Sequence, residues 1–491
     1  MSAALGQRAT WMRHFVLAAL CAATVINYAQ RNSIAGAETT LRPALGLTIS
    51  QTGDAMAAFF FAYALCQIPS GRVAQRLTPR WALALYAAGW SLAMAACALA
   101  TGVVTLVGAR LVMGVFQAGI FPCATMILLV WYPSRRRALA TAILNSFMLI
   151  GGAVGSMLTA WLLARVGWRG LFLLYALPGI AWAVWFALWF RNRPSEHPSV
   201  NEAELALLDG DRPAVLEVGE RSFPAAEKPV DREAVTTADE SARALTARPP
   251  EPVRLAAPAA APDVRAATPL LAIFLSWPLL FLCLQQFCRA GATRFFDMWF
   301  PTYLQEARGL SPGEANLLTS APLWAGVVGG VVGGWASDAV LQWTGSRRAG
   351  RQGVAIASLL ACCGCYAAAY LTADVYAAVA LASAGIFIAM FAAPCAYALS
   401  MDMGGKNLAV VFGAMNMVGN FGSGAFTWFS PRLKEWGGGW TLPVLVFAGL
   451  NVVAAGCWLL LNPEGLIGEP AAQNGVLPRG KEEVDAPRRL A

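Results

Sequence analysis

Charged residues are scarce in this chain. Only 13% of its 491 residues are charged, against roughly 25% in an ordinary soluble domain, and 57% are hydrophobic. Such a composition excludes a soluble globular domain, because so few polar side chains could not cover its surface. It predicts an integral membrane protein.

Histidine is rarer still. The chain has two, His14 and His197, and neither falls in a plausible cavity, which excludes a histidine metal site or a histidine proton relay. No set of nucleophile and base stands out either, so we predict no metal, no cofactor and no enzyme activity. The eleven cysteines fall mostly inside apolar stretches, where we expect small apolar side chains and not disulfides.

Apolar stretches of about 20 residues, each able to cross a bilayer of about 30 Å, occur twelve times. Backbone groups in lipid must bond within their own segment, so the stretches are helices. We predict an all-α membrane protein with twelve transmembrane helices in two pseudo-symmetric six-helix bundles. The predicted spans are 13–35, 52–71, 81–101, 103–130, 138–163, 170–190, 270–304, 314–336, 353–372, 375–399, 409–431 and 440–461.

The stretch 191–268 differs in composition and contains 14 of the 28 acidic residues. Its low hydrophobicity and mixed charge predict a mostly disordered cytoplasmic linker, with an amphipathic piece near 201–208 on the membrane surface. We therefore predict an N-terminal bundle at 1–190, a linker at 191–268, a C-terminal bundle at 269–465 and a cytoplasmic tail at 466–491.

Basic residues cluster in alternate loops. Although the net charge is +8, this alternation is the positive-inside pattern, which places both termini in the cytoplasm and indicates a lipid bilayer and not a nucleic acid as partner. A short repeat follows the second and eighth spans, where Gly71 and Gly334 each precede a polar turn and several arginines. In the second copy, we expect Asp338 to form a cytoplasmic gate with Arg347, Arg348 and Arg351.

Arg31 interrupts the first apolar stretch, within the polar run 27–32. A guanidinium in hydrocarbon costs several kcal/mol unless it has a partner, a watery cavity or a ligand. The planar guanidinium can donate two parallel hydrogen bonds to a carboxylate or phosphate. Arg289 and Arg294 likewise interrupt an apolar stretch in the other half. These residues predict an anionic ligand. The alternative is that Arg31 extends to the membrane surface.

With these residues in view, the chain resembles the major facilitator superfamily, and within it the anion:cation symporter branch of sugar-acid permeases, vesicular glutamate transporters and sialin. The resemblance covers both halves and most of the chain outside the linker. It implies transport by alternating access. The matching motifs begin at Asn27, Arg110, Phe121, Trp131, Pro194, Trp299 and Asn416.

Two positions depart from that branch. It usually has an acid just before the first arginine and a glutamate seven residues after the arginine of the fourth span, and these are its expected proton carriers. Here those positions hold Gln30 and Gln117, which keep the size and hydrogen bonding of an acid but cannot titrate. The resemblance therefore does not predict proton coupling by the familiar route. We expect both glutamines to be substrate-binding residues.

The resemblance also suggests further ligand residues. Arg289 matches a substrate arginine of the glutamate transporters; alternatively, it pairs with a buried carbonyl or carboxylate. Arg110 contacts either the substrate or neighbouring helices. Hydroxyl and amide groups suited to a sugar acid are carried by Tyr28, Tyr63, Asn416 and Asn420. Such groups also tie membrane helices together.

Arg294 and Asp297 lie three residues apart and could form an ion pair. The alternative is that Asp297 is a relocated protonation site. We expect a monomeric secondary transporter in a bacterial cytoplasmic membrane, with a proton or sodium ion as candidate coupling ion. Its expected substrate is a hexonate, a hexuronate or another carboxylate. The rival hypotheses are an exchanger of dicarboxylates or sugar phosphates and a non-transporting anion sensor.

Overall fold

The computed structural model describes residues 9–209, 273–404, 407–462 and 467, and all regular structure in them is helical. Fourteen α-helices follow one another in this part of the chain, with π-helical turns at Phe295–Trp299 and Arg348–Gly353. They are α1 (Met12–Ala44), α2 (Ile49–Ala98), α3 (Val103–Gln117), α4 (Ile120–Trp131), α5 (Ser134–Trp189), α6 (Glu202–Asp209), α7 (Trp277–Arg294), α8 (Phe300–Arg308), α9 (Pro312–Thr344), α10 (Val354–Leu371), α11 (Val375–Ala389), α12 (Ala392–Gly404), α13 (Leu408–Gly437) and α14 (Thr441–Leu460).

Two of these helices each contain two spans. The backbone turns at Thr78 within α2 and at Gly167 within α5, where φ is 67° and 65°. The pairs α3–α4, α7–α8 and α11–α12 each make one crossing, so the described chain crosses twelve times, as predicted. By length and composition alone, eight of its helical segments qualify as membrane spans.

The turns reveal the internal symmetry of the two halves. Six described residues have positive φ, and they form three pairs at equivalent loops. Gly46 and Gly309 follow the first span of each half, Thr78 and Gly345 follow the second, and Gly167 and Gly438 follow the fifth. Glycine tolerates this conformation because it lacks a Cβ. Positive φ at equivalent loops supports two related bundles.

Several sequence-based boundaries differ from the structure. The first span continues to Ala44, nine residues beyond its predicted end at 35. Residues 191–209, assigned to the linker by composition, instead pack on the N-terminal half: the buried Glu204 carboxylate accepts hydrogen bonds from Thr10 Oγ1 (2.7 Å) and the Arg13 backbone N–H (3.1 Å). The rest of the predicted linker and most of the predicted tail lie outside the described residues.

The two halves bond to each other at one end of the molecule, where α1 ends and α2 begins. Asn316 Nδ2 donates to the Gly36 carbonyl (3.0 Å), Arg42 Nη2 to Glu306 Oε1 (2.6 Å) and Arg432 Nη2 to Asp54 Oδ1 (2.7 Å). We call this the closed end. Within the described residues, the hydrogen bonds between the halves all lie there.

Candidate functional site

Arg31 lies in an aromatic cage. Its guanidinium carbon is 4.6–5.1 Å from the ring centres of Tyr28, Phe59, Phe60 and Tyr63. The side chain is 2% exposed, so it does not extend to the membrane surface. Its Nε and Nη2 atoms have no hydrogen-bond partner among the described residues. Cation–π contacts stabilise the charge, but they leave these donors free for an anion.

The cage belongs to a longer alternation of cations and rings, which we call the arginine–phenylalanine row: Arg110, Phe59, Arg31, Phe60 and Arg294. The Phe59 ring centre lies 4.9 Å from the guanidinium carbon of Arg110 and 4.6 Å from that of Arg31. The Phe60 ring centre lies 4.8 Å from that of Arg31 and 5.5 Å from that of Arg294. The first four residues belong to the N-terminal half and the last to the C-terminal half. The row therefore crosses the interface between the bundles.

Arg110 lies at the inner end of the row. Its Nη1 atom is 3.4 Å from the carbonyl oxygen of Arg31, while its Nε and Nη2 atoms have no partner among the described residues. The side chain is 1% exposed. Arg110 thus packs against the Arg31 backbone, which is the helix-packing role, and contact with substrate stays a prediction.

Arg294 reaches the site because the helix changes its winding there. α7 ends at this residue, and the following turn, Phe295–Trp299, is π-helical. Arg294 forms an ion pair with Asp297. It is also near enough to Arg31 and Arg289 to repel both electrostatically. The sequence predicted Arg294 both as one of the cations that suit an anion and as an ion-pair partner of Asp297. The structure contains the ion pair, and the ligand role stays a prediction.

Arg289 is buried in the C-terminal half and has a neutral acceptor. Its Nε and Nη2 atoms donate to Gln286 Oε1 at 3.3 and 2.9 Å. No carboxylate of the described residues pairs with it. Gln286 in turn packs against Gly419 on α13. Asn420 Nδ2 donates to the Asn416 carbonyl within this helix (2.9 Å).

Gln30 and Gln117 point into the N-terminal bundle. Gln30 Nε2 donates to the Tyr175 carbonyl (2.6 Å) and lies 3.4 Å from Ser91 Oγ, and Gln117 Nε2 lies 3.4 Å from the Asn27 carbonyl. Both side chains are fully buried. They tie neighbouring spans together, and the contacts give Gln30 no direct place in the cage.

Of the three arginines expected at the cytoplasmic gate, one pairs with Asp338. Asp338 Oδ1 accepts a hydrogen bond from Arg351 Nη1 (2.7 Å), whereas Arg347 and Arg348 are exposed and make no ion pair with it among the described residues. Arg351 lies in the π-helical turn Arg348–Gly353, and the gating role stays a prediction. The pair also joins two spans of one half, so it does not connect the halves.

The site as a whole carries four guanidiniums, those of Arg31, Arg110, Arg289 and Arg294, and among the described residues one carboxylate, that of Asp297. Like charges this close in a poorly solvated interior repel strongly. An anion bound between them would relieve the repulsion and satisfy the free donors. The arrangement can therefore select negative charge without any titration of its own.

Two residues of the cage, Phe59 and Phe60, were missed from the sequence. They precede the predicted Tyr63 by four and three residues, the spacing that places side chains on one helical face. Aromatic residues at helical spacing are common in any membrane core, so only the packing distinguishes a cage.

Comparison with known proteins shows to which family the chain is similar. The family model of the Major Facilitator Superfamily matches residues 20–427 and 282–488. A probable sulfoacetate transporter of Cupriavidus necator is 30% identical over 468 residues, which cover 94% of this chain and 97% of that protein. A probable galactarate/D-glucarate transporter of Bacillus subtilis is 28% identical over 457 residues, covering 91% and 90%.

Two solved structures share the fold. A bacterial homolog of the human lysosomal transporter Spinster, in an inward-facing and occupied conformation, superimposes with a TM-score of 0.64 at 17% identity, covering 91% of this chain and 96% of that one. A D-xylose–proton symporter superimposes with a TM-score of 0.63 at 15% identity, covering 93% and 100%.

Proposed function

The chain belongs to the major facilitator superfamily, and we propose that it is a secondary transporter that moves a small organic anion through a passage between its halves. The observation that carries this proposal is Arg31. Among the described residues its buried guanidinium has N–H donors without acceptors, no carboxylate partner and four aromatic rings around it. A permanent charge in such a position binds a carboxylate, sulfonate or phosphate strongly and selectively.

We infer that the preferred substrate is a dianion. Arg31 and Arg294 both lie over the Phe60 ring, and Arg289 adds a third cation, while Asp297 is the one carboxylate among the described residues that offsets them. One negative group can bind in the cage of the N-terminal half and a second near Arg289 and Arg294. Closure of the halves around both ends would then require a molecule with two anionic groups.

The named relatives support this chemistry. Sulfoacetate carries a sulfonate and a carboxylate, and galactarate and D-glucarate carry two carboxylates, so both relatives are named for dianions. A D-galactonate transporter of Escherichia coli, 26% identical over 344 residues, is named for a monoanion. Substrates of this size, with one or two acidic groups, are therefore the first to test.

The orientation and assembly belong to the same proposal. We place both termini in the cytoplasm of a bacterium, on the strength of the positive-inside pattern. The closed end then faces outward, and the described arrangement is inward-facing. A monomer is sufficient, because each chain contributes both halves of the passage.

Uptake into proteoliposomes tests the function. We expect the wild type to take up sulfoacetate or D-glucarate, and Arg31→Lys to reduce uptake at least about a hundredfold, since lysine cannot form two parallel bonds to a carboxylate. The matched control is Arg165→Lys, where an exposed guanidinium lies 4.1 Å over the Trp161 ring. Normal uptake by Arg31→Lys would remove Arg31 from the passage.

The two rival hypotheses give different results in the same experiment. A non-transporting sensor would bind these anions, as seen by thermal shift, without flux into the vesicles. An exchanger would need an anion inside the vesicles before it took up another. Gln30 and Gln117 favour the exchanger hypothesis because their side chains cannot bind and release a proton. If transport is driven by protons, an acid at another position must carry the proton.

A further inference from the structure

Glu38 is a buried acid that touches both halves of the protein. It lies on α1, and its side chain is fully buried. Thr52 Oγ1 of α2 donates to Oε1 (3.0 Å), and Thr302 Oγ1 of α8 donates to Oε2 (3.1 Å). One carboxylate thus accepts hydrogen bonds from the N-terminal and the C-terminal half at the closed end.

The acid is aligned with the candidate anion site. Glu38 follows Arg31 by seven residues, which is about two turns, so both lie on the same face of α1 about 10 Å apart along the helix axis. No substrate group needs to reach Glu38. Instead, Glu38 belongs to the closed end, where the two bundles must part if the passage is to open outward.

The surrounding charges leave Glu38 free to change its protonation. On its own helix, Arg42 Nε lies 3.2 Å from Glu38 Oε1. Arg42 also bonds to Glu306 of α8, and Glu306 pairs with Lys434 of α13. Asp54 of α2 is paired with Arg432 instead. If Glu38 becomes neutral, Arg42 therefore still has an acidic partner, Glu306.

Glu306 differs from Glu38 because it has two cationic partners. Arg42 Nη2 donates to its Oε1 (2.6 Å), and Lys434 pairs with its Oε2. Two cations stabilise the charged carboxylate more than the single arginine beside Glu38 does. The link that Glu306 makes between the halves therefore persists in mildly acidic solution.

We propose that Glu38 is the proton-binding site of this transporter, and that protonation from the outer solution favours closure of the outer end. The inference rests on the proposed function only in the direction that it gives to transport. Opening exposes Glu38 to water, whereas closure buries it with one cation and two hydroxyl donors. Burying a charged carboxylate is costly and burying a neutral one is not. The proton therefore enters while the outer end is open and is carried into the closed arrangement.

Hydrogen–deuterium exchange of the purified protein tests this without any substrate. The readout is the protection of backbone amides in 36–54 and 300–316, corrected for the intrinsic pH dependence of exchange. We expect protection in the wild type to rise about tenfold between about pH 8 and about pH 5. Glu38→Gln, which imitates the neutral acid, should be protected at both pH values. Glu435→Gln, an exposed acid at the same end that bonds to Ser50, should behave like the wild type.

A transport measurement supplies the second arm. In proteoliposomes with labelled sulfoacetate or D-glucarate, an inward proton gradient should stimulate uptake by the wild type and by Glu435→Gln, but not by Glu38→Gln, which should retain exchange of labelled for unlabelled anion. Wild-type protection that does not change with pH, or gradient-driven uptake by Glu38→Gln, would overturn the proposal. Absence of uptake by the wild type, with pH-dependent protection intact, would refute the proposed substrates and leave the proton site supported.

Discussion

Arg294 of the C-terminal half lies over the face of Phe60 of the N-terminal half, with 5.5 Å between the guanidinium carbon and the ring centre. The guanidinium carbon of Arg31 lies 4.8 Å from the same ring centre. One aromatic side chain thus stabilises a cation from each bundle. Because the bundles move relative to each other during alternating access, this contact changes between states, and the anion site changes with it.

Loss of the Phe60 ring should weaken anion binding. A cation–π contact that is shielded from water contributes about 2 kcal/mol, and Phe60→Leu removes two of them. We expect the apparent affinity for the transported anion to fall about tenfold or more. The matched control is Phe61→Leu at the adjacent position, where the ring contacts Phe421 and no arginine. Concentration-dependent uptake by both variants measures the difference, and equal affinities would contradict a role for the row.

Asp297→Asn should strengthen anion binding and leave proton drive intact. The substitution frees Arg294 from its ion pair, and about 1 kcal/mol of attraction then becomes available to the substrate, or about fivefold in affinity. Binding measured by thermal shift and gradient-driven uptake check the two parts. Asp338→Asn breaks an ion pair with Arg351 outside the site and serves as control. Loss of proton drive in Asp297→Asn alone would make Asp297, and not Glu38, the coupling acid.

Adjacent glycines on α9 should respond differently to the same change. A Cβ on Gly329 would lie 2.3 Å from the Phe387 carbonyl oxygen, whereas a Cβ on Gly330 would meet nothing within 4 Å. Gly329→Ala should therefore lower the free energy of unfolding by about 1–3 kcal/mol, and Gly330→Ala should be neutral or stabilising, because alanine favours helix by about 1 kcal/mol. Thermal denaturation in detergent compares them. Equal melting temperatures would argue against close packing of α9 on α11.

Thr78→Gly should stabilise the protein. Thr78 has φ 67° and ψ 148°, a conformation that favours glycine, and its equivalent in the other half is Gly345. Relief of this strain is worth about 1 kcal/mol. Thr372→Gly is the control, because Thr372 has an ordinary extended backbone and donates to the Ala368 carbonyl. A lower melting temperature for Thr78→Gly than for the wild type would contradict the prediction.

The fold was largely accessible from the sequence. Hydropathy and helix-compatible length are properties of contiguous residues, and lipid leaves few alternatives to a helix, so the twelve spans and the two halves could be predicted. The errors lie at the ends of segments. Polar residues such as Glu38 extend α1 past its apolar part because they bond across the interface, and 191–209 folds onto the first bundle through Glu204 and not through its own hydrophobicity.

The sequence by itself determined that buried arginines exist in both halves and that an anion is the ligand they suit, because the charge of a guanidinium does not depend on its surroundings. Only the tertiary structure decided which groups surround each arginine. Arg294 and Phe60 are separated by more than two hundred residues, and Glu38 meets Thr302 from the other bundle. Such contacts follow from how whole helices pack, and no local pattern along the chain records them.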